Sequence, residues 1–158
     1  MDKIKNNKYS DFYEFYCQSF NLVKEIKNKT IGMSANSRVD FARSYIIKDI
    51  MNKYINFGVL SKETIDILET SSNLLKFSTD NLIKNLIIHS DVKYDDYLKI
   101  PKIAKNPSKI VKSRSNYDVM LLKNEEKCYK LVIKTTKNRK ENFIKSFHII
   151  QLERFERY

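Results

Sequence analysis

The spacing of the apolar residues changes once along this 158-residue chain, and that change constrains its fold more than any other feature. Up to about residue 100, apolar residues recur at intervals of three and four, which is the spacing of one helix face. After Val111 they alternate with polar residues, as in a half-buried strand. Helices followed by strands predict the α+β class, with N-terminal helices and then a small antiparallel β-sheet meander.

Capping and breaking residues divide the chain further. We predict helices over residues 11–26, 39–57, 61–76, 78–89 and 91–100, and strands over residues 117–122, 128–136 and 142–150. Ser61 and Ser78 are suited to begin helices, and Gly58 is suited to end one. We therefore predict a separate helical extension over residues 1–58 and a domain of helices plus antiparallel sheet over residues 59–158.

Basic residues are concentrated in the last third of the chain. Lys and Arg total 30 against 19 Asp and Glu, which gives a formal net charge of +11. Residues 101–158 hold 15 basic and 6 acidic residues, a net charge of +9 for that segment. A skewed gene composition would spread the excess evenly, so the local excess indicates a polyanion partner such as nucleic acid rather than a merely solvated basic surface. The side chains expected to contact it are Lys112, Arg114, Lys130, Lys137, Arg139 and Lys145.

The composition excludes several classes of site. Two glycines cannot supply a dinucleotide-binding fingerprint or a phosphate-binding loop. Cys17 and Cys128 lie far apart and indicate neither a disulfide framework nor a zinc site. The acidic group Asp91, Asp95 and Asp96 is better explained by helix capping and solvation than by metal binding. We therefore expect no metal and no cofactor.

Hydropathy bears on the cellular location. No stretch of about 18 or more uncharged apolar residues is present, so no membrane partner is expected. Residues 1–15 lack the apolar core of a secretory signal, and a cytoplasmic location is therefore expected.

The third predicted strand carries the residues best suited to chemistry. Strict alternation places Ser146 and His148 on one face, together with Ile144 and Ile150, and places Phe143, Lys145, Phe147 and Ile149 on the other. The register of the preceding hairpin is not fixed by the sequence. Depending on that register, either Lys134 and Thr136 or Thr135 join the face of Ser146 and His148.

These groups suit the cleavage of RNA by its own 2′-hydroxyl, a reaction that needs a base, an acid and cations but no metal. A histidine side chain commonly titrates near neutral pH, so His148 is a candidate acid or base. Lys134 can hold the phosphate, and Ser146 or Thr136 can donate from its hydroxyl. The simpler interpretation is that Ser146 and His148 are polar residues on a solvated sheet face. His89, at a predicted helix end, has an analogous alternative as a partner of the helix dipole.

The order of several short motifs resembles a known family. A helix ends at His89-Ser-Asp, a tyrosine-bearing segment follows up to Tyr97, and Asn106-Pro107 leads into strands that end in Lys134-Thr-Thr and Ser146-Phe-His148. This order is similar to that of the phage-associated barnase–EndoU–colicin–RelE-like (BECR-fold) nucleases, over about residues 61–152. Ser90 stands where the family usually has Pro, and Asp91 stands in place of Glu, which affects the turn more than the chemistry.

The resemblance implies a metal-independent ribonuclease domain, often used as a toxin or effector and fused to phage structural proteins. It implies RNA, including transfer RNA, as the substrate, and an immunity or antitoxin protein as a partner. The site residues carried over are Lys134, Thr136, Ser146 and His148, with His89 brought over the sheet by its helix. Two alternatives stay open: a non-catalytic RNA- or DNA-binding module, and a phage structural protein whose helical half mediates assembly.

Overall fold

The computed structural model describes residues 10–158. Residues 1–9, which belong to the N-terminal segment considered above for a secretory signal, lie outside the described residues. The helices are α1 Ser10–Lys29, α2 Ala35–Tyr45, α3 Lys48–Met51, α4 Lys62–Leu68, α5 Thr79–Ile88, α6 Tyr94–Tyr97, α7 Ile100–Lys105 and α8 Leu152–Arg157. The strands are β1 Tyr54–Val59, β2 Leu74–Ser78, β3 Lys109–Lys112, β4 Asp118–Asn124, β5 Cys128–Thr135 and β6 Asn142–Ile150. The predicted α+β class is confirmed.

Residues 10–55 and 78–90 form one compact unit, which is mainly helical. Within it α5 packs against α1 and α2, because each of these helices has apolar residues along one side. Ser78 caps α5 as predicted, since its Oγ accepts a hydrogen bond of 3.2 Å from the Asn81 N–H. The buried apolar residues of this helical unit include Phe12, Phe15, Val23, Ile26, Val39, Leu82, Ile83 and Leu86.

Residues 56–77 and 91–158 form the second unit, which is built on a sheet of strand order β1-β2-β6-β5-β4-β3. Strands β3 to β6 form an antiparallel meander. The predicted three-stranded meander is therefore confirmed as β4, β5 and β6. Strand β2 pairs with β6 in parallel, and this pairing was not predicted.

One face of this sheet is the core of the second unit. Leu131, Ile133 and Phe147 are completely buried on it. The Phe147 ring lies 5.3 Å from the Tyr129 ring and 5.7 Å from the Tyr97 ring, measured between centroids. Full burial of one such side chain contributes about 1.5–3 kcal/mol, so this aromatic cluster fixes α6 against β5 and β6.

Two predicted helices are wrong in their second halves. The helix predicted over 39–57 ends at Tyr45, and Gly58 lies inside β1 instead of ending a helix. The helix predicted over 61–76 does begin after the Ser61 cap, but it ends at Leu68, and Glu69 takes the left-handed conformation with φ 51°. The residues that follow form β2, which pairs with β6 near the other end of the chain.

The transition from helix to strand also differs in detail. The helix predicted over 91–100 is reduced to the short α6, and Pro101 stands in the first turn of α7, where a missing N–H costs nothing. Strand β5 ends at Thr135 rather than Thr136. No helix within residues 10–158 is long and apolar enough to cross a membrane.

The two compact units do not follow the predicted division at residue 58. Helix α5 belongs to the helical unit although it follows β2 in sequence, and most of β1 belongs to the sheet unit although it precedes residue 59. Independent folding of residues 59–158 therefore stays a prediction.

Candidate nucleic-acid interface

The second face of the sheet carries most of the predicted site residues. Lys130 on β5 lies directly opposite His148 on β6, and Val132 lies opposite Ser146. Directly opposed residues of antiparallel strands project to the same side, and so do residues two apart on one strand. Lys134 therefore shares this side. The five residues Lys130, Val132, Lys134, Ser146 and His148 are all half-buried or exposed. We call this side the basic face and define it by Lys130, Lys134, Lys145, Ser146, His148 and Asp118.

The register decides between the two predicted hairpin arrangements in favour of Lys134. Thr135 is buried on the core side, and its Oγ1 donates to the Glu141 carbonyl at 3.1 Å. Thr136 was predicted to accompany Lys134, but it lies in the turn after β5. Its hydroxyl donates to Asn138 Oδ1 at 2.6 Å and accepts from the Glu141 N–H at 3.2 Å. Thr136 therefore organises the turn beyond the end of β5.

A β-bulge in β6 corrects the predicted alternation. The register shifts between Val132 and Ile133, so that Val132 pairs with Ser146 whereas Ile133 pairs with Ile144. Lys145 is the extra residue, and an extra residue reverses the alternation beyond it. Ile144 is consequently buried on the core side, not beside Ser146 and His148 as predicted.

The cation nearest to His148 across the strands is Lys130, not Lys134. Directly opposed side chains have Cβ atoms about 5 Å apart, whereas Lys134 lies four strand positions further, about 13 Å along β5. Sequence reasoning assigned Lys130 to nucleic-acid binding and Lys134 to the candidate catalytic residues. The register keeps both lysines on the side of His148 and places Lys130 directly opposite it.

Tyr158 adjoins Lys130 and was missed by the sequence analysis. The Lys130 amine donates to the Tyr158 hydroxyl at 3.1 Å and lies 5.5 Å from the centre of its ring. The hydrogen bond from Lys130 lowers the pKa of Tyr158; partial burial opposes this effect, and Arg154 adds to the lowering. Arg154 and Tyr158 are four residues apart, or about one helical turn, and this spacing could have indicated from the sequence that the two side chains lie together.

Helix α8 holds Tyr158 at this end of the sheet. Its residue Phe155 packs in a cluster with Leu122, Cys128 and Ile150, which are the residues at or near the ends of β4, β5 and β6. The Lys109 amine also donates to the Phe155 carbonyl at 3.0 Å. These contacts place the end of α8 beside Lys130.

A buried carboxylate interrupts the basic face at its opposite end. Asp118 lies opposite Lys134, is only 8% exposed, and accepts a hydrogen bond of 2.8 Å on Oδ2 from the Lys145 amine. Its other oxygen, Oδ1, is buried and has no hydrogen-bond partner among residues 10–158. The alternation pattern gave no indication of this pair, because Lys145 reaches Asp118 from the bulge.

The remaining predicted contacts are dispersed. Lys112, Arg114 and Lys137 are exposed, at the edge strand β3, after it, and in the β5–β6 turn. Arg139 has structural contacts: its Nη1 donates to the Leu68 carbonyl at 2.6 Å and the Asn116 carbonyl at 2.9 Å, and its guanidinium lies 4.4 Å from the Tyr117 ring centre. It joins the end of α4 to the β3–β4 turn.

His89 belongs to the helical unit, not to the sheet unit that carries the basic face. It follows α5, is half-buried, and its N–H donates to the Asn85 carbonyl at 2.8 Å, so the predicted place at a helix end is confirmed. Its participation in the site stays a prediction. Two clefts of about 440 and 400 Å³ also belong to the helical unit, and their linings contain none of the predicted site residues.

Asp96 is occupied by a buried hydrogen-bond network. It accepts from the Lys93 N–H at 2.9 Å, which caps α6, from the Tyr129 hydroxyl at 2.6 Å and from the Lys127 amine at 3.1 Å. Burial would raise the pKa of Asp96, but these hydrogen bonds outweigh burial and lower it. Within residues 10–158 no cluster of three or more His, Cys, Asp or Glu side chains is arranged to hold a metal ion.

Searches against protein-family models, curated proteins and solved structures found no match to this chain.

Proposed function

We propose that this chain binds RNA on the basic face and cleaves it there without a metal. The observation that carries the proposal is the position of Lys130, which lies directly opposite His148 while its amine bonds the Tyr158 hydroxyl. An imidazole whose Nε2 is buried, a cation and a phenol with a lowered pKa thus occupy neighbouring positions.

These three groups match the needs of cleavage by the 2′-hydroxyl. His148 takes the proton from the 2′-hydroxyl, and O2′ then attacks the adjacent phosphorus. The bond from phosphorus to the 5′-oxygen breaks, and Tyr158 supplies the proton that this oxygen needs. Lys130 stabilises the additional negative charge on the phosphate. The products are a 2′,3′-cyclic phosphate and a 5′-hydroxyl.

The rest of the basic face supports binding of the strand. Ser146 lies between His148 and the level of Lys134, where its hydroxyl can donate to a phosphate or a ribose. Lys134 is exposed, and with Lys130 it gives two cations about 13 Å apart along β5. An extended strand running along β5 contacts both.

The resemblance to the phage-associated BECR-fold nucleases supports the same activity. On that basis we propose a cytoplasmic toxin or effector associated with a phage or mobile element, with an immunity or antitoxin protein as its inhibitor. The Thr136 hydroxyl is engaged within the β5–β6 turn, and Lys134, Ser146 and His148 are the motif residues that define the basic face.

A non-catalytic RNA- or DNA-binding module is the second candidate. The separation of Lys134 from Lys130 favours it, because cations spaced in a row suit a phosphate backbone better than one reacting phosphate. Both candidates predict binding, and only the first predicts metal-independent cleavage.

The deciding experiment is incubation of the purified protein with total RNA in EDTA, followed by mapping of the fragment ends. We expect fragments with 2′,3′-cyclic phosphate and 5′-hydroxyl ends, formed by the wild type and by Lys62→Ala, a control at an exposed lysine on α4. The His148→Ala variant should form none. RNA that is bound but intact with the wild type would favour the second candidate, and RNA that is not bound at all would contradict both.

A further inference from the structure

Asp118 is the least expected residue of the basic face. A carboxylate among cations repels a polyanion and so weakens the binding proposed for this face. Its Oδ1 is also a buried acceptor without a hydrogen-bond partner among residues 10–158, which lowers the stability of the fold. The carboxylate thus has two costs, and both are offset if the ligand itself donates a hydrogen bond to Oδ1.

The surroundings of Asp118 indicate which donor that is. Lys134 lies opposite Asp118 on β5, and the amine of Lys145, in the bulge of β6, donates a hydrogen bond to Asp118 Oδ2. The phosphates of an RNA strand bring acceptor oxygens, which these amines bind and which the carboxylate repels. An RNA strand presents two kinds of donor, the ribose 2′-hydroxyl and the N–H groups of the nucleobases. A nucleobase edge places an N–H beside an acceptor, and this pair matches the Asp118 carboxylate beside the Lys145 amine.

We propose that Asp118 accepts a hydrogen bond from the Watson–Crick edge of an unpaired nucleobase, while Lys145 donates to the adjacent ring or carbonyl acceptor. The Lys145 side chain is 47% exposed, so it can turn aside to admit the base to the carboxylate. Each of the four bases carries an N–H next to an acceptor on this edge, and pairing in a duplex occupies both. The substrate class is therefore single-stranded RNA, without a strong preference for one base.

This inference rests on the proposed RNA binding. It predicts that removing Asp118 weakens RNA binding, whereas an effect of charge alone predicts that removing Asp118 strengthens it. If Asp118 only neutralises Lys145 and Lys134, its removal frees a cation and tightens every polyanion by the same factor. If Asp118 accepts from a base, its removal weakens only those strands that carry the donor.

The experiment compares two ligands of equal charge, a uridine 12-mer and the same 12-mer built from N3-methyluridine, in which the single ring N–H is replaced by a methyl group. Both strands carry 2′-O-methyl riboses, so that the proposed cleavage cannot consume them. We expect the wild type to bind the uridine strand about tenfold or more tightly than the methylated strand. Asp118→Ala should abolish this difference while binding the methylated strand at least as tightly as the wild type does. Fluorescence anisotropy at one fixed salt concentration measures all four affinities.

Three results would overturn these claims, and they are distinguishable. Equal affinity of the wild type for the two strands excludes recognition of the base N–H. This conclusion depends on the wild type alone and not on the folding of any variant. An equal tightening of both strands by Asp118→Ala shows that the carboxylate is only a counter-charge. Failure of the wild type to bind either strand overturns the proposed function together with this inference.

Discussion

Lys130 lies directly opposite His148 on neighbouring antiparallel strands, with its amine 3.1 Å from the hydroxyl of Tyr158. The pairing puts a cation within side-chain reach of the imidazole, whereas Lys134 lies about 13 Å further along β5. Two lysines of one strand face are therefore expected to have different roles, one near the reacting phosphate and one on the bound strand.

His148→Ala should abolish RNA cleavage while leaving RNA affinity within a few-fold of the wild type. Binding is shared among many Lys and Arg side chains, whereas proton transfer needs one titratable group in reach, and its loss costs about 10²–10⁴ in rate. Single-turnover cleavage of one RNA, and filter binding of the same RNA with 2′-O-methyl riboses, measure the two quantities. Wild-type cleavage by a folded His148→Ala protein would end the assignment and direct attention to His89.

Lys130→Ala should reduce the cleavage rate more than Lys134→Ala does, although the two variants should weaken binding to a similar extent. Each lysine contributes about one phosphate contact, so each substitution should lower the slope of log affinity against log salt by about 0.7–1. Of these two lysines Lys130 is the one opposite His148, so under the proposed mechanism it is expected to stabilise the transition state. Equal losses of cleavage in the two variants would contradict this division of roles.

The sequence was sufficient for the elements whose patterns are long or locally punctuated. Helix α1 shows its three- and four-residue spacing over five turns, and Ser61 and Ser78 mark helix starts. Strands β4, β5 and β6 are apolar segments separated by short polar turns. Ser146 and His148 lie on the same side of β6, and this also follows from local alternation alone, because the bulge at Lys145 precedes both residues.

The short strands β1 and β2 could not be recognised in the same way. Ile50, Tyr54 and Phe57 fit a helix face as well as Ile55 and Phe57 fit a strand, and a window of this length does not separate the two periods. What decides is pairing: β2 adds to β6, more than 60 residues away along the chain. A non-local partner overrides local propensity.

The composition of the site depended on features that leave no local pattern. The bulge at Lys145 changes which residues face Asp118, yet a lysine is compatible with either side of an exposed strand. Tyr158 reaches Lys130 only because Phe155 packs against residues from three strands. Register and tertiary packing, not residue types, decided these neighbours.

Asp96→Asn should make the unfolding midpoint less sensitive to acid. Because the folded pKa of Asp96 lies below that of an unfolded aspartate, about 3.9, its charged form stabilises the fold fully above about pH 5. This stabilisation is lost as the pH falls through the unfolded and then the folded pKa. The wild type should therefore lose more stability between pH 6 and pH 3 than the variant does.

Urea midpoints at pH 6, 4.5 and 3 measure this effect, with Asp66→Asn, at an exposed position in α4, as the matched control. At pH 6 the Asp96→Asn variant should be less stable than the wild type by about 1–3 kcal/mol, since charged hydrogen bonds to Tyr129 and Lys127 are weakened. Parallel pH profiles for the wild type and Asp96→Asn would contradict the role given to this carboxylate.

Deletion of residues 1–58 tests how the chain divides. The prediction from sequence is a folded remainder, but the packing leads us to expect loss of cooperative melting. The deletion removes α1 and α2, against which α5 packs, and leaves the buried side chains of Leu82, Ile83 and Leu86 without their partners in the helical unit. Such an apolar surface promotes association.

Replacing these three leucine and isoleucine residues by glutamine in the truncated chain is the matched control, because it removes the exposed apolar side but leaves the strands β2 to β6 intact. A sharp thermal transition in the unmodified truncated chain would show instead that residues 59–158 fold on their own, as the sequence predicts.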